Sequence, residues 1–325
     1  MKVSAYLCGV AAALVMGVSA QAVELKLSHS SQETLGSELH TTAWLFQKYM
    51  QDFGPNFQVT IFPNNQLGQE REVYEAMQLG SGANCAISGT AILGNFNQKV
   101  GVVDLPFLWQ DYAHVARVLD GEVGDALKAE LHDSGFEVIA WLSSWGYRNV
   151  ATNKPIESVA DLKGLKIRTI PTDTYVKAVN AMGANATPMA FGEIYTAMET
   201  GVLDGLEHSA AMVYANKFYE VAHYYTLTRH LFGPMVFACS TSFVDSLSEE
   251  DKAKLIEAAT FARDAERALA PVRENAAMAS LTAAGMVVKE IDVTPLKEAA
   301  GPVQDELATA LGATDLLAKI RAAAE

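Results

Sequence analysis

The strongest constraint on this chain is that its hydrophobic period keeps switching between that of a strand and that of a helix. Val23 to Ser28 alternates apolar and polar residues like a half-buried strand. From Leu35 to Phe53, the residues Leu39, Ala43, Phe46 and Met50 share one helical stripe. Phe57 to Phe62 reads as a second strand, Gln69 to Leu79 as a helix halted at Gly80, and Ala83 to Ser88 as a short buried strand. A helical stretch from about Tyr112 to His132 leads into a strand from Phe136 to Leu142. Such alternation specifies α/β architecture, with helices covering sheets.

A second unit of the same kind opens near Trp145. Turn residues around Lys154-Pro155 and Asp161 to Gly164 precede a strand from Leu165 to Ile170, and helices from about Thr174 and from Gly192 stop at Gly183 and Gly201. Val202 to Glu207 returns as a strand. The last third is mostly helical. Ser248 with Asp251 forms a capping pattern for a long helix that Pro271 is expected to kink or interrupt. No internal repeat and no linker rich in Pro, Gly or Ser separates the units, so several crossings should tie them together.

At 325 residues, half of them hydrophobic, the chain can fill two cores. With 38 acidic against 24 basic residues its net charge is −14, which argues against a nucleic-acid partner. Met1 to Ala22 carries Lys2, an apolar run from about Ala5 to Val18 and the close Ala20-Gln21-Ala22, the order of a secretory signal peptide cut after Ala22. That run is too short to span a bilayer. The mature chain is therefore expected outside the cytoplasm, with Cys85 and Cys239 as its cysteines. Both sit in apolar strand-like runs; pairing is open to them in an oxidising compartment, and two buried free thiols is the reading taken.

Catalytic signatures are missing: there is no G-x-S-x-G elbow, no three-glycine dinucleotide loop, and no H-E-x-x-H. Asp204, Glu207 and His208 have metal-like helical spacing. Their segment reads as a strand, where Asp204 and Glu207 point to opposite faces and take solvated or capping roles. The arginines say more. Arg168 lies near the carboxyl end of a short strand, where ligands gather in open α/β sheets, and Arg148 follows another strand amid aromatic and small residues. In an acidic protein an anionic ligand needs a focused local site, and guanidinium forks supply one.

The run Trp145-Gly146-Tyr147-Arg148, Lys154-Pro155-Ile156 and Asp161 to Arg168 resembles the solute-binding proteins of tripartite ATP-independent periplasmic (TRAP) transporters. The likeness continues through Thr187-Pro188-Met189-Ala190-Phe191, Gly201 to Glu207 and Lys217 to Val221, and upstream includes Pro63 to Gly68 and Leu105-Pro106-Phe107. It implies a two-lobed periplasmic-binding-protein-like α/β fold with a ligand cleft and a long hinge-spanning helix. Residues 23–145 with about 234–273 would form lobe I, and 146–233 with about 274–325 lobe II. It implies a monomeric periplasmic receptor that hands a small organic anion to membrane permease subunits, without catalysis, cofactor or metal. Arg168 would pair with the ligand carboxylate, Arg148 would add a second contact, and Phe191 would pack on the ligand body beside Trp145. His208 stands where the family often has Asn, and can accept, donate or carry charge. Ser30, Glu70 and Ser88 match first-lobe positions that contact ligand in some relatives. The rival classes are an exported enzyme acting on small organic acids and a sensor subunit.

Mass spectrometry of the exported protein is expected to show Val23 as its first residue; a retained leader would contradict this reading.

Overall fold

The computed structural model describes residues 22–143 and 145–324. The leader, but for Ala22, lies outside the described residues. In chain order the strands are β1 (Val23–Ser28), β2 (Phe57–Phe62), β3 (Cys85–Gly89), β4 (Phe136–Leu142), β5 (Tyr147–Thr152), β6 (Lys166–Thr169), β7 (Asn185–Pro188), β8 (Gly205–His208), β9 (Tyr224–Phe232), β10 (Met235–Ser240) and β11 (Val287–Glu290). They form two sheets, ordered β2-β1-β3-β10-β4 and β11-β9-β5-β8-β6-β7. β1, β2 and β3 run parallel, and β10 is antiparallel to β3 and β4. In the second sheet β6 is parallel to β7 and β8, while β5 is antiparallel to β8 and β9.

Local chemistry sets the helix ends. The helix Glu38–Phe53 starts a turn later than the hydrophobic stripe suggests because Ser37 accepts the His40 N–H as its cap. Its stripe of Leu39, Ala43, Phe46 and Met50 is fully buried. The helix Glu249–Ala283, capped by Ser248, runs 35 residues with Pro271 inside it. The expected interruption does not occur: proline withholds one N–H, and hydrogen bonding continues on both sides. Leu255, Ala258 and Ala262 of this helix enter the core of the first sheet, and Ala277 and Leu281 enter that of the second. One continuous helix therefore spans both units.

The C-terminal segment touches both units. β11 pairs with β9 of the second sheet, yet Leu307, Leu311, Leu317 and Ile320 pack into the first core. His114 Nε2 donates to the Ile320 carbonyl at 2.9 Å, and Gln304 donates to the Pro106 carbonyl at 2.7 Å. The sequence shows an apolar stripe at helical spacing, but a stripe does not say which core covers it.

A second correction concerns the cysteines, which form a disulfide. Although 154 residues apart, Cys85 and Cys239 lie directly opposite each other on antiparallel β3 and β10. Two other segments cross between the units. Ser143 N–H donates to Glu266 Oε1 at 2.6 Å, and Gly233 N–H donates to the Gly146 carbonyl at 2.9 Å, so the two crossings are bonded to each other and to the long helix. Gly146 sits at φ +59° with the Tyr112 hydroxyl 2.1 Å from where a Cβ would stand, a place only glycine can hold.

Opening the Cys85–Cys239 bond releases a loop of more than a hundred residues, so replacing both cysteines with serine should cost about 2–4 kcal/mol in urea unfolding. The denatured, unreduced mature chain should show no titratable thiol; two thiols would contradict the bond.

Candidate ligand site between the two sheets

The carboxyl ends of both sheets' parallel strands converge. β6 ends in Arg168-Thr169 and β8 in Glu207-His208, and because β5 runs the other way, its second residue, Arg148, lies at the same edge. Opposite them, β1 ends in Ser28 before Ser30, β3 carries Ser88 near its end, and Glu70 opens the helix Glu70–Gln78. The two edges touch. Ser31 Oγ lies 3.5 Å from Met212 Sδ, Gly192 N–H donates to Gln69 Oε1 at 3.4 Å, and Tyr175 donates its hydroxyl proton to Asp104 at 3.2 Å. At Gly89 a Cβ would fall 2.1 Å from the Trp145 ring, so the absent side chain lets that indole reach across.

Arg148 and Arg168, although alike in sequence, are bonded very differently. Arg148 is fully buried, and its Nε and Nη2 grip both carboxylate oxygens of fully buried Glu207. Its Nη2 also meets the Glu207 carbonyl at 2.9 Å, and the Tyr175 ring lies 5.2 Å from the guanidinium. Burial alone would raise the Glu207 carboxyl, but Arg148, with His230 beside it, reverses that and holds it at about 2. Thr169 donates to the same carboxylate at 3.2 Å. Glu207 is thus a buried counterion rather than the solvated acid expected from the strand pattern. Asp204 does cap, accepting the Lys166 N–H at 3.0 Å.

Arg168, 2% exposed, spends only its Nε, on the Met189 carbonyl at 2.9 Å. Buried Nη1 has no hydrogen-bond partner among the described residues. Burial lowers this guanidinium to about 10, offset by Glu207 and Glu70, so it stays charged at neutral pH. Its carbon stands 6.0 Å from the Phe191 ring centroid. An unpaired buried cation costs several kcal/mol, and an incoming anion relieves that cost.

His208 lies between aromatic edges, 5.0 Å from Trp145 and 5.8 Å from Phe191 by ring centroids. Burial first, then Arg148 and Arg168, push it well below the usual histidine range. Its Nδ1 accepts the Ser209 N–H at 2.9 Å, so the neutral ring carries its proton on Nε2. Of the three options the sequence leaves open, His208 offers a neutral donor.

Ser30 donates to Glu70 Oε1 at 3.1 Å. Burial raises Glu70 above the usual carboxylate range, against the pull of Ser30, Arg168 and Arg148. Ser88 bonds the Tyr74 hydroxyl at 2.8 Å and lines a small cavity with Glu70. A 280 Å³ opening lined by Ser30, Asn65, Phe191 and Lys217 sits at the lips of this cleft. Three larger cavities, of 400, 680 and 1140 Å³, are lined by neither Arg148 nor Arg168, so volume alone would mislead here.

The family model for bacterial extracellular solute-binding protein family 7, DctP, matches residues 29–310. This chain belongs to that family. The 2,3-diketo-L-gulonate-binding periplasmic protein of Escherichia coli (strain K12) is 30% identical over 299 residues, 91% of this chain and 89% of the relative. A sugar acid binding protein from Advenella mimigardefordensis, solved with galactonate, matches at a TM-score of 0.88 and 26% identity, covering 94% of this chain and 98% of its own. A TRAP periplasmic solute binding protein from Polaromonas, solved with D-erythronate, matches at 0.87 and 31%, covering 92% and 98%. The TRAP resemblance and the two-lobed α/β fold it implied are both borne out.

Glu207→Ala should destabilise this DctP protein by about 3–5 kcal/mol, since it strands Arg148. The pH sign follows from the lowered carboxyl: the pair stabilises the fold above about 4.5, and that stability fades as pH falls toward about 2. Chemical unfolding between neutral pH and about pH 3 should therefore show a smaller acid-induced loss for Glu207→Gln than for the parent; equal losses would contradict the pairing.

Proposed function

We propose that this protein is the periplasmic receptor of a TRAP transporter that captures a small hydroxylated carboxylate of the sugar-acid type. In this reading the ligand carboxylate meets Arg168, and Arg148 Nη1, which also lacks a partner, adds the second contact. Phe191 and Trp145 wall the ligand body, and His208 Nε2 donates to one of its oxygens. The observation that carries the proposal is the buried, charged Arg168 guanidinium whose Nη1 has no hydrogen-bond partner among the described residues. Relatives that hold galactonate and D-erythronate support the ligand class.

The mechanism needs no catalytic step. Ligand-contacting groups are divided between the two edges, with Arg168, Arg148 and His208 on one side and Ser30, Glu70 and Ser88 on the other. A ligand satisfies both sets only when the lobes are shut, so binding shifts the population toward the closed form. A membrane permease can then tell the loaded receptor from the empty one by shape. No helix among the described residues is long and apolar enough to cross a membrane, so the transmembrane path would be the permease's.

Calorimetry and thermal shift against a panel of sugar acids should find a ligand. At about 100 times its Kd it should add about 2.7 kcal/mol of stability. Arg168→Ala should lose about 2–5 kcal/mol of that binding while remaining folded. Near-normal affinity in the variant would contradict the assignment.

A further inference from the structure

The charges around the cleft do not admit every small acid. From the second sheet's side, the groups facing it are Arg148, Arg168, Glu207, neutral His208 and Tyr175; from the other side they are Glu70, Tyr74, Asp104 and His29. Burial, then His40, lowers His29 to about 3, so it contributes no cation at neutral pH. Burial raises Asp104 to about 7 despite hydrogen bonds from Thr90 and Tyr175, so near neutral pH it is partly protonated, and in neither state does it supply a cation. Glu207 already answers Arg148 with two oxygens. Lys217 stands exposed at the lip of the cleft beside exposed Glu220. Arg168 is then the single buried cation of this set without a carboxylate of its own, and one ligand carboxylate neutralises it.

Glu70 is left over. It stands near enough to feel both arginines, yet among the described residues its one side-chain hydrogen bond comes from the Ser30 hydroxyl at 3.1 Å. A half-buried carboxylate facing a closing cleft needs donors in place of the water it loses. Ligand hydroxyls are donors; a second ligand carboxylate is not, and would face Glu70 with no buried cation between them, Lys217 being exposed at the lip. We propose that Glu70 makes the site selective for one carboxylate flanked by hydroxyl groups, and that it excludes the dicarboxylate of the same carbon skeleton unless a proton enters with it. The proposal rests on the receptor reading above and adds a charge rule to it.

The test uses matched acid pairs that differ only at one end: galactonate and galactarate, gluconate and glucarate, erythronate and meso-tartrate. Each is titrated calorimetrically into the mature protein from about pH 6 to about pH 8, and into Glu70→Gln. For the pairs that bind, the monoacid should be about a hundredfold tighter at the high end of that range. Relative to the monoacid, diacid affinity should rise about tenfold per unit fall in pH, the signature of one extra proton taken up; the titration of Asp104 within this range is common to both acids and drops out of the ratio. In Glu70→Gln the preference should shrink at least about tenfold. An unchanged melting point of the ligand-free variant shows that it is folded. A parent protein that takes both acids equally at every pH, or a Glu70→Gln variant that keeps the full preference, overturns the charge rule and leaves the receptor standing. Failure of every pair to bind overturns both.

Discussion

The proposed function depends on one buried positive charge, Arg168, whose Nη1 has no hydrogen-bond partner among the described residues. A guanidinium out of water is expensive, and proteins usually answer it at once, as Glu207 answers Arg148 here. Arg168 is answered only through its Nε, on the Met189 carbonyl, and by the ring of Phe191. Two supports make this tolerable. The Glu207 carboxylate, one strand away, lends its field without reaching a hydrogen bond, and the cleft edge lets ligand or water approach. The arginine is thus held charged, aimed and unsatisfied. This is the condition under which a weakly basic anion such as a carboxylate gains most by binding.

Topology explains why the partners can be placed so closely. Parallel strands end together, so β6 and β8 deliver Arg168, Glu207 and His208 to one edge, and antiparallel β5 brings Arg148 there from its own start. The opposing edge gathers Ser30, Glu70 and Ser88 for the same reason. The connection between them is a pair of short crossings bonded to one unbroken helix, with Gly146 in a conformation that side chains avoid. The disulfide between β3 and β10 and the C-terminal helices stiffen the first unit.

Much of this was legible from residue order. The switching period located β1 to β4 and their helices within a few residues, because strand and helix patterns depend on neighbours along the chain. The cluster of family-like motifs pointed to the architecture and to Arg168 and Arg148. What escaped was pairing across distance. Glu207 looked like a solvated acid because a strand pattern tells which face a residue takes, but not that a buried arginine waits on the adjacent strand. Cys85 and Cys239 looked like separate thiols because strand order, not spacing, makes them neighbours. Tyr175, beneath Arg148 and bonded to Asp104, carries no sequence signal that sets it apart from any tyrosine on a helix. His208 was noticed, but its neutral state comes from two nearby arginines and full burial, which only the fold supplies.

The most direct test is a crystal structure of the mature protein with a bound organic acid, at a resolution that orients the carboxylate. The account predicts that carboxylate within hydrogen-bond reach of the Arg168 terminal nitrogens, with Arg148 still gripping Glu207 and ligand hydroxyls turned toward Glu70. A ligand whose carboxylate sits elsewhere, as in the groove lined by Phe107, Arg229 and Glu274, would contradict it.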